Sequence, residues 1–271
     1  MEFTIDPGAV VLVAAAEVLY LRALRVLAAR GVAVPRVQVI LWHTGMALWV
    51  IGFFSPLHAL GDELLSAHMA QHLLIADLAA PLLLAGARNP VLGFLLPRPA
   101  LVTVARSPLR RAFDVLKRPT VAVPVYVLVL YGWHFGVFFE AAVRNPLVHA
   151  LQHMSFVAIG VLVWWSALEP KRRRLRGELW KVPYIVGARM AGMLLGMSFV
   201  LIRVPIYTGV YAEGDRGHGL SALADQQTAG GMMVVLDLLI MAFALCFFFF
   251  RAAQDADREE RREREALLTR P

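Results

Sequence analysis

Cysteine is nearly missing from this sequence: Cys246 is the only one among 271 residues. An intrachain disulfide is therefore excluded, as is any CxxC metal motif, and a bound metal would have to rest on His, Met or carboxylate donors. Charge is scarce too, at 17% of residues, against about 25% in soluble domains. No HExxH string occurs, which argues against a zincin-type protease. The net charge of +7 and a pI near 10.1 would suit a nucleic-acid binder. The basic residues, however, stand in blocks between long apolar runs, where they act as an orientation signal, and no nucleic-acid partner is expected.

What is abundant is apolar sequence, 59% of residues with a mean hydropathy of +0.62. Seven apolar segments stand out, at 9–29, 38–54, 66–86, 119–138, 147–168, 183–205 and 229–250. A span needs about 20 apolar residues, and only helices satisfy their own backbone in lipid. The expectation is an all-α polytopic membrane protein: one seven-helix transmembrane domain over 1–250 and a charged tail over 251–271. Pro56, Pro119, Pro146, Pro183 and Pro205 fall where helices would begin or end. The first residues, Met1 to Asp6, are acidic where a signal peptide is basic, so the first run is expected to be a retained helix. Gly132/Gly136 and Gly192/Gly196 form small-xxx-small faces that point to close helix packing.

The loops set the orientation. Segments 30–37, 87–118, 169–182 and 251–271 carry 21 Lys/Arg, and the alternating segments 1–8, 55–65, 139–146 and 206–228 carry 2. This asymmetry places the first set in the cytoplasm and the N-terminus outside. Trp164, Trp165 and Trp180 would then lie in the inner aromatic belt, with Trp49 and Trp133 in the outer one. Residues 107–118 read as an interfacial amphipathic helix and Lys171 to Arg174 as a topogenic block. Residues 255–264 read as a solvated helix or a disordered end.

Seven of the eight histidines fall in the outer half under this topology, His43 being the exception. His68/His72 and His149/His153 are i,i+4 pairs, stacked on one helix face, and each sits in an HxxQH string. Two such pairs at matching depth, on helices running the same way, would bring four imidazoles to one volume, with His134 and His58 close by. Neutral imidazoles suit copper, zinc or iron, and Gln71 and Gln152 would fix ring tautomers from behind. The bland alternative, interfacial histidines bonded to headgroups, accounts less well for two matched pairs. Two stacked haems are ruled out, because i,i+4 residues are only about 6 Å apart along the axis; one haem stays open. Met69, Met154, Met193, Met197, Met232 and Met233 would suit a soft ion such as Cu(I), although methionine is also common core filling. Asp225 would cap its own helix, ligate the metal or orient a histidine. Asp62 and Glu63 would serve as docking charges or stand as simple solvated acids. Asp77 should point about 140° away from the His68/His72 face, and Asp77 or Asp237 should pair with Arg189.

Read in order, Ser55-Pro56-Leu57-His58-Ala59-Leu60, Glu63-Leu64-Leu65-Ser66-Ala67-His68-Met69, Gln71-His72-Leu73-Leu74, Trp133-His134, Pro146-Leu147-Val148-His149, Gln152-His153-Met154-Ser155-Phe156 and Leu223-Ala224-Asp225-Gln226-Gln227 resemble the CtaG-type cytochrome c oxidase assembly factors. The resemblance covers roughly residues 40–250. One departure stands at Phe135 to Glu140, where the family usually has a proline and then Tyr-Asp; the carboxylate survives as Glu140 and the tyrosine hydroxyl is gone.

The resemblance implies a multi-pass protein of the bacterial cytoplasmic (inner) membrane. It would handle copper, without catalysis, for haem–copper oxidase subunits, with the lipid bilayer and an extracytoplasmic copper chaperone as further partners. The residues expected at the metal are His68, His72, His149, His153, His134, His58 and Asp225. Zinc, iron and haem stay open as alternatives to copper. Two rival functions follow from the histidines. A His-box metalloenzyme would normally carry HxxHH on the cytoplasmic side. A metal permease would need ligands continuing inward, for which only His43 and the sixth-segment methionines are available.

Overall fold

A computed structural model describes residues 7–168, 179–211 and 218–268. The chain is helical throughout, with no strand among the described residues. In chain order the helices are α1 (Pro7–Ala29), α2 (Arg36–Phe54), the short α3 (Pro56–Gly61) and α4 (Leu65–Gly86), followed by α5 (Arg98–Arg106) and α6 (Pro108–Leu116). Then come α7 (Pro119–His134), α8 (Gly136–Arg144), α9 (Pro146–Leu168), α10 (Lys181–Leu201), the single turn α11 (Thr208–Tyr211) and α12 (Ala222–Leu268). Pro56, Pro119 and Pro146 occupy first turns, where the missing N–H costs nothing. The topogenic block Lys171–Arg174 and residues 1–6 lie outside the described residues.

Five helices (α2, α4, α9, α10 and α12) are long and apolar enough to cross a membrane, and α7 with α8 makes a sixth if that bent pair is one span. The seventh expected span, α1, carries Glu17, Arg22 and Arg25 and is not among these helices. The expected fourth run, 119–138, is not one helix. It breaks at Phe135, whose extended backbone (φ −67°, ψ 134°) turns α8 by 68° from α7. The last helix, by contrast, runs unbroken past 250 to Leu268, carried by pairs such as Arg264–Glu260 at 2.6 Å.

Inside α4, residues Leu73–Leu78 form a π-helical turn. Pro81 follows, and its ring cannot accept the carbonyl four residues back, that of Asp77, in a regular α-helix. The wider turn relieves this conflict, and Trp49 Nε1 donates to Ile75 O within it at 3.0 Å. Trp49 and Trp164 are therefore core residues, 6% exposed each, not members of an aromatic belt.

The tightest helix contact joins α10 to α12. A Cβ on Gly196 would lie 2.8 Å from Gly230 O, and one on Gly230 would meet Gly196 O. The expectation for Gly192/Gly196 thus holds, with Gly230 as a partner. Gly132 and Gly136 do not behave this way: a Cβ on either meets nothing within 4 Å, and Gly136 starts the helix after the bend. Deep between these helices, Arg189 is fully buried and pairs through Nη1 with both expected partners, Asp77 and, at 2.9 Å, Asp237.

Candidate metal centre

α3, the start of α4, the end of α7 and the start of α9 meet at one end of the bundle. Asp225 holds that junction. Its two carboxylate oxygens accept from Leu65 N (2.7 Å) and Ser66 N (3.0 Å), the first N–H groups of α4. It caps α4 and not its own helix, whose first turn is capped by Ser221. It thereby fixes the helix that carries His68 and His72. Tyr211 Oη donates to Gly61 O at 2.6 Å, tying α11 over α3.

Both HxxQH pairs point into one volume. Ring centroids lie 4.4 Å apart for His68/His72, 5.1 Å for His68/His149, 5.1 Å for His72/His153 and 4.1 Å for His149/His153. His68, His72 and His149 each offer a ring nitrogen, and these nitrogens all lie within 4.8 Å of one another. Metal–imidazole bonds of about 2.0–2.1 Å would bring them closer, so each ring needs roughly an ångström or less of inward movement. Aromatic rings wall the cluster: Phe139 packs on His68 at 5.0 Å, Phe156 on His72 at 4.7 Å and Phe53 on His153 at 5.8 Å.

The ring nitrogens are the informative atoms. His68 Nε2, both nitrogens of His72, His134 Nε2 and His153 Nε2 are buried with no hydrogen-bond partner among the described residues. Leaving a buried polar atom unsatisfied costs about 1–3 kcal/mol, and five such atoms would cost as much as a small domain's whole stability. Neutral imidazole lone pairs walled by Phe53, Phe139 and Phe156 are a donor set for a borderline or soft metal ion.

The remaining site residues divide. His134 Nδ1 donates to Leu130 O at 2.6 Å, so the Nε2 lone pair is presented inward. His58 stacks on His149 at 5.7 Å, but its Nδ1 faces Gln71 Nε2 at 3.0 Å. Because the same Nε2 donates to Gly52 O at 2.8 Å, the amide orientation is fixed and His58 Nδ1 is the acceptor. The neutral ring then keeps its proton on Nε2, and ligation by His58 would require breaking that arrangement. Gln71 thus sets a tautomer, though of His58 and not of its own motif. Gln152 is buried beside His68.

Sequence reasoning missed three features. Asp77 does not point away: in a π turn i and i+5 nearly eclipse, so Asp77 lines the same cavity as His72, and Pro81 was the available signal. Phe139 stacks on Tyr207 at 3.9 Å. Tyr207 Oη donates to His134 O at 2.7 Å, and burial, with Glu140 beside it, pushes that phenol up so that it stays a neutral donor. Glu140 accepts from Gly209 N at 3.1 Å and from Arg144 at 3.0 Å, so the surviving carboxylate anchors α11. Glu63 pairs with His218 at 2.7 Å instead of standing free for docking. His43 bonds Glu17 at 3.2 Å, and Met197 is 37% exposed.

Apolar helices of spanning length around a buried imidazole cluster define an all-helical membrane protein with a candidate metal centre. The model of the cytochrome c oxidase caa3 assembly factor family matches residues 18–255. The chain belongs to that family. It is 27% identical over 249 residues to an uncharacterized protein of Mycobacterium bovis and, equally, to one of Mycobacterium tuberculosis, covering 86% of this chain. The chain spans 37% of the length of those relatives. No solved structure matches.

Proposed function

We propose that this chain assists cytochrome c oxidase assembly by holding copper at the histidine cluster and passing it to oxidase subunits. One observation carries this reading: the imidazoles of His68, His72, His149 and His153 are contiguous, and His68 Nε2, both nitrogens of His72 and His153 Nε2 are buried with no hydrogen-bond partner among the described residues. In this reading copper is cargo. His68, His72 and His149 form the ligand triad, His153 and His134 stand beside it, and Asp225 and Gln71 position the elements that present it. An incompletely filled imidazole shell exchanges ligands readily, so an ion arriving from an extracytoplasmic donor leaves by substitution at the metal, without redox chemistry.

The topology belongs to the same proposal. With seven spans and the N-terminus outside, the cluster opens to the outer face of a bacterial cytoplasmic membrane. The 21-to-2 Lys/Arg asymmetry supports that orientation. The test is a strain lacking the chain. Its oxidase polypeptides and haem should be present while oxidase copper is low, with partial rescue by added copper as mass action replaces the delivery protein. Normal oxidase copper together with a missing lipid or small-molecule product would favour a metalloenzyme instead.

A further inference from the structure

Beneath the triad lies a small cavity, about 30 Å³, which His72, His134, Met69 and Met233 line together with Asp77 and Asp237. Three helices, α4, α7 and α12, contribute these residues, and the π turn of α4 is what aims His72 and Asp77 into the same space. His72 is 6% exposed and both its nitrogens lack a partner among the described residues; the Nε2 of His134 is likewise buried and unpartnered. Met69 and Met233 are 2% and 4% exposed, so their thioethers face protein and not lipid. At the inner end, two carboxylates share Nη1 of the single Arg189.

We propose that this cavity is a second cation station, specific for Cu(I), with the imidazoles of His72 and His134 and the thioethers of Met69 and Met233 as donors. The inference rests on the copper reading of the triad and deepens it by naming the oxidation state. Imidazole with thioether is a soft donor set that selects Cu(I) over hard divalent ions. Size agrees, since one water needs roughly 10–15 Å³ and the cavity therefore admits a bare ion or a water or two, but no hydrated divalent ion. Charge agrees as well. With both carboxylates ionised, two negative charges would face one guanidinium inside a low-dielectric core, a balance that a monovalent cation completes and a divalent one would overshoot.

His72 connects the two stations. His134 and His58 have their tautomers set by Leu130 O and Gln71, whereas His72 has neither nitrogen committed. A neutral imidazole has one lone pair, so His72 ligates in one direction at a time. Passing an ion between triad and cavity is then a ligand exchange at Cu(I), with no electron transferred.

The test uses the full chain, purified in detergent and titrated anaerobically with Cu(I) against a competing chelator. The native chain should take up about two Cu(I), with His72 ligating one of them at a time and the other held by the remaining donors of its station, and Met69→Leu/Met233→Leu should take up about one, retained on nitrogen donors alone. Selenomethionine-substituted but otherwise native protein should show a copper–selenium neighbour by X-ray absorption, which needs no variant to fold. One Cu(I) without selenium neighbours, or two that survive the double substitution, would overturn this station and leave the triad standing. One Cu(I) with selenium neighbours would keep the station and overturn the triad, and no Cu(I) at all would overturn both.

Discussion

His72 and Asp77, five residues apart on α4, line one cavity because the turn between them is π-helical. The histidine cluster is thereby joined to the buried Asp77–Arg189–Asp237 group, which a regular helix would have turned away.

Arg189 is the sole counter-charge to those two carboxylates among the described residues. Arg189→Met should destabilise the protein by about 3–5 kcal/mol, because it strands buried charge. Asp237→Asn should cost less, since the Arg189–Asp77 pair survives, and adding Asp77→Asn and Asp237→Asn to Arg189→Met should recover much of the loss. Thermal unfolding in detergent measures the series; an Arg189→Met protein as stable as the native one would show that the pair is not holding α4, α10 and α12 together.

The α10–α12 contact predicts opposite outcomes for equivalent substitutions. Gly230→Ala meets the backbone of Gly196 and should cost about 1–3 kcal/mol through overpacking. Gly132→Ala meets nothing and should be neutral or stabilising by up to about 1 kcal/mol from helix propensity. Equal effects in a thermal-stability comparison would contradict the packing described.

Much of this was legible in sequence, and the losses have identifiable causes. Apolar runs and the HxxQH spacing sufficed for most of the helices and for stacking each histidine pair on one helix face, because i,i+4 geometry is local. The π turn was not legible from spacing, since a regular 3.6-residue period was assumed through Leu73–Leu78; only Pro81 hinted otherwise. The break at Phe135 was hidden in an apolar run that continues through it. Asp225 was recognisable as a capping residue, but its target, the N-terminus of α4, lies 160 residues away and depends on tertiary contact. Gly132 shows the converse: a small-residue spacing identical to that of a packed face, in a helix that presents it to nothing.

Asp225→Ala should remove the cap from the histidine-bearing helix, costing about 0.5–2 kcal/mol and weakening copper binding roughly tenfold or more, as loss of a supporting contact does at metal sites. Asp225→Asn should fall between. Chelator competition on the purified variants measures the affinities, and unchanged affinity in the alanine variant would remove Asp225 from the site's support.

The orientation is testable in a Cys246→Ala background. A cysteine at Ala59 should react with an impermeant thiol reagent in intact cells, whereas one at Ala253 should react only after permeabilisation. The reverse pattern would put the histidine cluster on the cytoplasmic side and end the delivery scheme.

The most direct measurement replaces the chain in its own cell with His68→Ala/His72→Ala/His149→Ala and determines copper per haem in the isolated oxidase. Immunodetection first establishes that the variant reaches the membrane at the native level. The account predicts an oxidase with its haem in place, depleted of copper and low in activity. An oxidase carrying full copper and full activity beside the inserted triple variant would contradict it.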